Sequence, residues 1–263
     1  MSISHIITRQ DYIDRKHTGD KIVMLTAYDA AFAGIMELSG EIDVILVGDS
    51  LGMVVQGHDT TRKVSLDHML YHTEIVCRAA PSIPIIADMP FHTFDDPAEA
   101  LKNAEALIKT GADGVKIEGN KAEVVRRITG GGIPLMGHLG LLPQTAVQFK
   151  VQGKDEAAAE KLMNDAVELE KNGAVAIVLE CVPRSLAASV SAALRIPTIG
   201  IGAGPDCDGQ VLVLHDMLGL NHGHLPKFVK QYSQLGELTR NAISEYSREV
   251  KNGTFPSDSH SYH

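Results

Sequence analysis

Residues 154–183 read KDEAAAEKLMNDAVELEKNGAVAIVLECVP. Over its first two thirds, apolar residues return every three or four positions, the period of one helical face. Gly173 supplies a stop, and residues 175–179 form an unbroken apolar run without polar alternation. Such a run suits a strand buried on both faces, as in a parallel sheet covered by helices. It closes on an acid, Glu180, just before Cys181-Val182-Pro183.

Working outward, the same pattern recurs. Short β-rich runs stand at 21–29 (KIVMLTAYD), 43–50 (DVILVGDS), 84–90 (PIIADMP), 114–120 (GVKIEGN), 133–140 (IPLMGHLG), 175–183 (VAIVLECVP), 196–204 (IPTIGIGAG) and 210–216 (QVLVLHD). Helical periodicity fills 30–40, 65–80, 96–111, 154–173 and 183–194. Ser65 reads as an N-cap, Asp96-Pro97 as an N-cap followed by proline at the first helical position, and Gly111 and Gly173 as stops. Eight strand–helix units in a chain of this length match a closed barrel, whereas an open doubly wound sheet rarely needs eight comparable strands. The expected fold is a single (β/α)8 barrel over residues 1–263, with an N-terminal helical segment in 1–20 and a polar tail at 251–263. No linker or composition shift marks a second domain.

Composition narrows the function classes. The 263 residues carry a net charge of −9, which removes the basic footprint needed to bind nucleic acid or an anionic membrane surface. No run approaches the roughly 18 apolar residues of a membrane helix. Charges interrupt every apolar stretch of the first thirty residues, leaving no signal-peptide core. Three cysteines, Cys77, Cys181 and Cys207, form no C-x-x-C pair. A disulfide framework is not suggested, and a reducing cytoplasm fits best.

The chemistry is signalled by position. Asp49, Asp88, Glu118, His138 and Glu180 each stand at the carboxyl end of a different strand run, where barrel enzymes assemble their sites. Asp49 and Asp88 are hard oxygen donors, sparse enough to leave Mg2+ several positions for water and substrate. Each aspartate alone reads equally well as a cap of the following turn. Lys116 and Glu118 are two apart and share one strand face. If that face is the lumen, Lys116 offsets a substrate carboxylate or an enolate oxygen and Glu118 reaches the metal; otherwise the two form a salt bridge. Glu180 emerges from an apolar run expected to raise its pKa and suit it to proton transfer. Its alternative is a structural acceptor.

Other candidates are weaker. Ser50 could hold a substrate carboxylate or sit in a turn, and His138 could polarise a carbonyl or be a satisfied core histidine. Gly202 and Gly204 suggest an anion-holding turn or close packing. Cys181 lacks an adjacent base and reads as packing. His68 and His72 have zinc-pair spacing, but the segment reads as an ordinary amphipathic helix. His222 and His224 are loop residues without a third ligand.

These residues lie in blocks that resemble a known family. TAYDAAFA (26–33), LVGDSLGMVVQGHDTT (46–61), ADMPF (87–91), VKIEG (115–119), GHLGLLPQ (137–144), KVQGK (150–154), VLECVP (178–183), IGIGAG (199–204), DGQVLVLHD (208–216) and HLPKF (224–228) are similar to successive blocks of ketopantoate hydroxymethyltransferases. The resemblance implies a barrel of the phosphoenolpyruvate/pyruvate type and a homo-oligomer, a decamer in the family's usual form. It implies transfer of a hydroxymethyl group from 5,10-methylenetetrahydrofolate to the α-keto acid 3-methyl-2-oxobutanoate, giving 2-dehydropantoate in pantothenate biosynthesis. Carried over, Asp49, Asp88 and Glu118 correspond to magnesium ligands, Ser50 and Lys116 to substrate-holding residues, and Glu180 to the proton acceptor. The chain departs from the family where only TAVQF (145–149) separates the PQ and KVQG blocks.

Two rival readings stay open on sequence. A Mg2+-dependent carbon–carbon lyase of the isocitrate lyase type would use the same ions, although no K-K-C-G-H-like block is present. A non-catalytic metal- or anion-binding barrel is the other.

Overall fold

A computed structural model of the chain describes residues 8–148, 150–221, 223 and 225–263. The chain divides into two compact units, the first ending at Val213 and the second running from Leu214 to His263.

The first unit is a closed eight-stranded parallel barrel in simple sequential order. Its strands are β1 Ile22–Thr26, β2 Val44–Val47, β3 Ile85–Asp88, β4 Gly114–Glu118, β5 Leu135–Gly140, β6 Ala176–Glu180, β7 Thr198–Ile201 and β8 Gly209–Leu212. β8 closes back onto β1 through the pairs Ile22↔Gly209 to Leu25↔Leu212. All eight runs anticipated from sequence are strands, and the expected barrel is the observed fold.

Around them run α1 Arg9–Thr18, α2 Ala30–Ser39, α3 Leu51–Val54, α4 Leu66–Ala79, α5 Pro97–Lys109, α6 Ala122–Gly130, α7 Glu156–Lys171 and α8 Arg184–Ala193. Side-chain oxygens of Asp29, Ser65, Asp96 and Asp155 accept backbone N–H groups at the starts of α2, α4, α5 and α7, satisfying donors that helix geometry leaves over. Gly111 and Gly173 follow α5 and α7 at φ 110° and 101°, a backbone region open to glycine at little cost. α6 was not read from sequence: it is short, has no capping side chain and ends in three consecutive glycines.

The barrel interior is a stack of side chains taken from every second strand position. Ile22 and Met24, Val44 and Leu46, Ile86, Met136, Ala176 and Val178, Ile199 and Val211 form its lower layers, with Tyr12 of α1 packed among them. β2, β3 and β4 are buried throughout, as continuous apolar runs require. β1 differs, because Val23 on its outer side is 44% exposed, and Gln210 of β8 is exposed as well. Burial on both faces therefore holds for most of the barrel but not for the β1–β8 seam.

The second unit contains α9 Leu214–Met217, α10 Leu235–Asn252 and a short 3-10 turn at Asp258–His260. α10 extends two residues into the segment that the sequence suggests as a polar tail. Among the described residues no helix is long and apolar enough to cross a membrane.

Candidate active site

Two positions further along the same strands, the inward-facing residues change from apolar to ionisable. Ile86 gives way to Asp88, Met136 to His138 and Val178 to Glu180, while β4 contributes Lys116 and Glu118. Strand register sets Asp88 beside Lys116 and Glu118 beside His138. Asp49, Asp88, Lys116, Glu118 and His138 are all buried.

Contacts within the cluster are close. The Lys116 ammonium is 2.8 Å from Asp88 Oδ1, and Asp88 Oδ2 accepts the Asp49 backbone N–H at 3.0 Å. Lys116 Nζ also lies 3.3 Å from His138 Nδ1. Burial opposes charge on Lys116, but the neighbouring Asp88, Glu118 and Asp49 outweigh it and hold the ammonium above its usual range. A charged Lys116 has only protons to offer, so His138 Nδ1 is the acceptor and the imidazole carries its proton on Nε2. Burial, aided by Lys116, lowers the His138 pKa and keeps the ring neutral. Nε2 stands 3.2 Å from Glu180 Oε2, off the line of a straight hydrogen bond.

Glu180 departs from the sequence expectation. Its side chain is 15% exposed and its carboxylate stands 3.2 Å from His138 Nε2, so it has an opening to solvent and a polar neighbour that the apolar run before it did not announce. Ser50 sits just past Asp49 at the start of α3, its hydroxyl 2.7 Å from the Tyr28 phenol.

Burial, then repulsion from Asp88, raises Asp49 to about 7. Burial, then repulsion from Asp49, raises Glu118 to about 9. Asp49 and Glu118 therefore hold on to protons that a divalent, oxygen-preferring cation would displace, and in that respect the donor set fits Mg2+. Among the described residues no three acidic, histidine or cysteine side chains converge as a ready-made cage.

Gln144 and Tyr28 belong to this cluster and were not singled out from sequence. Gln144 lies in the turn after β5, and its carboxamide donates to Asp49 Oδ2 at 2.8 Å and to the Met89 carbonyl at 3.0 Å. Its backbone N–H donates to Glu118 Oε2 at 3.0 Å. The only signal was its place at the end of the GHLGLLPQ block.

The remaining candidates fall outside. His68 accepts the Ser65 N–H in a capping box and His72 Nδ1 bonds the Tyr28 carbonyl, so both serve the helix and its neighbour. Cys181 has its thiol pushed up to about 11 by burial and then by Glu180, which keeps it protonated and unreactive near neutrality. Gly202 and Gly204 have φ of 67° and 83°, and a Cβ at Gly204 would meet the Arg184 side chain at 2.8 Å, in keeping with close packing. His222 and His224 lie outside the described residues.

Against this geometry, residues 6–258 match the family model described as ketopantoate hydroxymethyltransferase. The chain belongs to the ketopantoate hydroxymethyltransferase family. It is 51% identical over 263 residues to the 3-methyl-2-oxobutanoate hydroxymethyltransferase of Heliobacterium modesticaldum, covering 97% of this chain and 95% of that protein. It is 52% identical over 254 residues to the enzyme of that name from Moorella thermoacetica, covering 94% of both. As a member of the ketopantoate hydroxymethyltransferase family the chain is an enzyme, a hydroxymethyltransferase. Among solved structures, 2,3-dimethylmalate lyase superposes with a TM-score of 0.62 at 16% identity over 95% of this chain and 90% of that one. Phosphonopyruvate hydrolase in complex with oxalate and Mg2+ gives 0.65 at 12% identity, covering 96% and 93%. At such identities the likeness shows the fold alone, that of the phosphoenolpyruvate mutase and isocitrate lyase barrels.

Proposed function

We propose that the barrel mouth removes the C3 proton of 3-methyl-2-oxobutanoate and directs the resulting enolate carbon onto the one-carbon unit of 5,10-methylenetetrahydrofolate; one water supplies the hydroxyl oxygen and tetrahydrofolate leaves, so that the product is 2-dehydropantoate for pantothenate biosynthesis. The observation that carries this reading is the line Asp88, Lys116, His138, Glu180 across four neighbouring strands, which joins a positive charge to a base through one neutral imidazole.

Each group has a role that follows from its surroundings. Glu180, partly exposed at the rim, accepts the C3 proton. His138 donates from Nε2 toward Glu180 and steadies its carboxylate. Lys116, held charged, offsets the negative charge that grows on the keto acid as the proton leaves. Ser50, braced by Tyr28, holds the substrate carboxylate. Asp49 and Asp88, with Glu118, hold Mg2+, which when bound supplies Lewis-acid polarisation of the keto group. A cytoplasmic homo-oligomer is the form this reading assigns to the enzyme.

The test is deuterium exchange at C3 of 3-methyl-2-oxobutanoate, followed by proton NMR with and without Mg2+ and folate. Exchange is expected with Mg2+ alone and should vanish in Glu180→Gln while calorimetry still registers Mg2+ binding. Undiminished exchange in that variant removes Glu180 as the base, and no exchange in the unaltered enzyme removes the enolisation itself.

A further inference from the structure

Gln144 is 2% exposed although it lies in a turn, and every donor it has is spent on the site. The two neighbours of its carboxamide nitrogen, a carboxylate and a carbonyl, are both acceptors, which fixes the orientation of the amide. A single residue of the β5–α7 connection therefore bridges Asp49 from the β2 end to Glu118 from the β4 end, and also grips Met89 beyond β3. Its own carbonyl is held in turn: Arg62 Nε donates to Gln144 O at 2.7 Å, and its terminal nitrogen donates to Ala146 O at 3.1 Å. The Arg62 guanidinium also lies 5.8 Å from the centre of the Phe91 ring.

We propose that Gln144 is a positioning residue for the acidic cluster, holding Asp49 and Glu118 in one orientation, and that Arg62 secures the turn from which Gln144 reaches in. The inference rests on the functional reading above. Bonds from Gln144 leave Asp49 and Glu118 one carboxylate oxygen each that it does not engage, so the cluster presents fixed oxygens rather than swinging side chains. Orientation of this kind matters because carboxylates that repel one another turn apart unless donors restrain them.

The experiment compares Gln144→Met, which keeps length and volume but removes both side-chain donors, with Arg62→Ala, whose exposed side chain can be truncated without emptying the core, and with the double variant. Mg2+ binding to the full-length protein is read by calorimetry and C3 exchange by NMR. Gln144→Met is expected to lose about 10- to 100-fold in both, the usual effect of removing a group that orients a metal-binding side chain. Arg62→Ala should show part of the same loss, and the double variant should be no worse than Gln144→Met, because both act through one restraint. A merely structural Gln144 would lower the melting temperature while leaving Mg2+ affinity and exchange of the folded protein intact, and that result overturns the proposal. So do additive losses in the double variant. If the unaltered enzyme exchanges but the variants are undiminished, positioning alone fails; if the unaltered enzyme does not exchange, the functional reading fails and takes this one with it.

Discussion

His138 stands between Lys116 and Glu180, with Nδ1 3.3 Å from the ammonium and Nε2 3.2 Å from the carboxylate. Because Lys116 can only donate, the imidazole proton lies on the far nitrogen, on the side of Glu180, and in the proposed reaction a small turn of the ring would let it steady that carboxylate. His138→Leu should therefore slow C3 exchange by about 10- to 100-fold. His138→Gln, which can still accept from Lys116 and donate to Glu180, should recover part of the loss. Equal rates in the two variants, measured by NMR, would assign the effect to packing.

Lys116→Met removes the one cation among three buried carboxylates. Breaking such a pair from one side costs about 3–5 kcal/mol, since the partner charges remain buried. Urea denaturation without Mg2+ should show a loss of this order at pH 8 and a smaller one at pH 5, where the carboxylates can take up protons. Added Mg2+ should restore part of the difference.

The raised values of Asp49 and Glu118 set the pH dependence of the metal-free enzyme. A carboxyl group whose folded pKa lies above its unfolded value stabilises the fold below the unfolded value, and that stability is lost as pH rises through the folded one. The window opens near the ordinary carboxyl values of 3.8 and 4.5 and extends through about 7 for Asp49 and about 9 for Glu118. Melting temperature without metal should accordingly decline as pH rises from 5 to 9 relative to an Asp49→Asn control. Mg2+ should bind more tightly as pH rises through about 7, releasing protons that calorimetry in buffers of different ionisation enthalpy will count.

Gly140 has φ 95°, and a Cβ there would fall 2.2 Å from the Glu180 carbonyl oxygen. Gly140→Ala should destabilise the barrel by at least about 2 kcal/mol, combining backbone strain with overlap. Because the displaced backbone belongs to Glu180, the folded fraction should also lose exchange activity. A variant of normal stability and activity would show that β5 and β6 can part there freely.

The sequence displayed the barrel well because burial on both faces imposes unbroken apolar runs, and the ionisable residues that end those runs mark the mouth. Glu180 was legible as a strand-end acid, but its neighbour was not: the apolar residues before it describe the strand below, whereas its carboxylate meets His138 of β5. Gln144 stayed hidden for a related reason. It sits in a turn where polar residues are ordinary, and its importance lies in contacts to residues 26, 55 and 95 positions away. Helix α6 was missed because neither end carries a capping side chain.

The ladder that stacks the core also carries the site, since Ile86 and Asp88, Met136 and His138, and Val178 and Glu180 are rungs of the same alternation. Deleting or inserting one residue within β4 would turn Lys116 and Glu118 outward and bring Val115 and Ile117 into the mouth. Core and mouth residues thus share one reading frame, so length changes are confined to the connections, and these strands admit change by replacement alone.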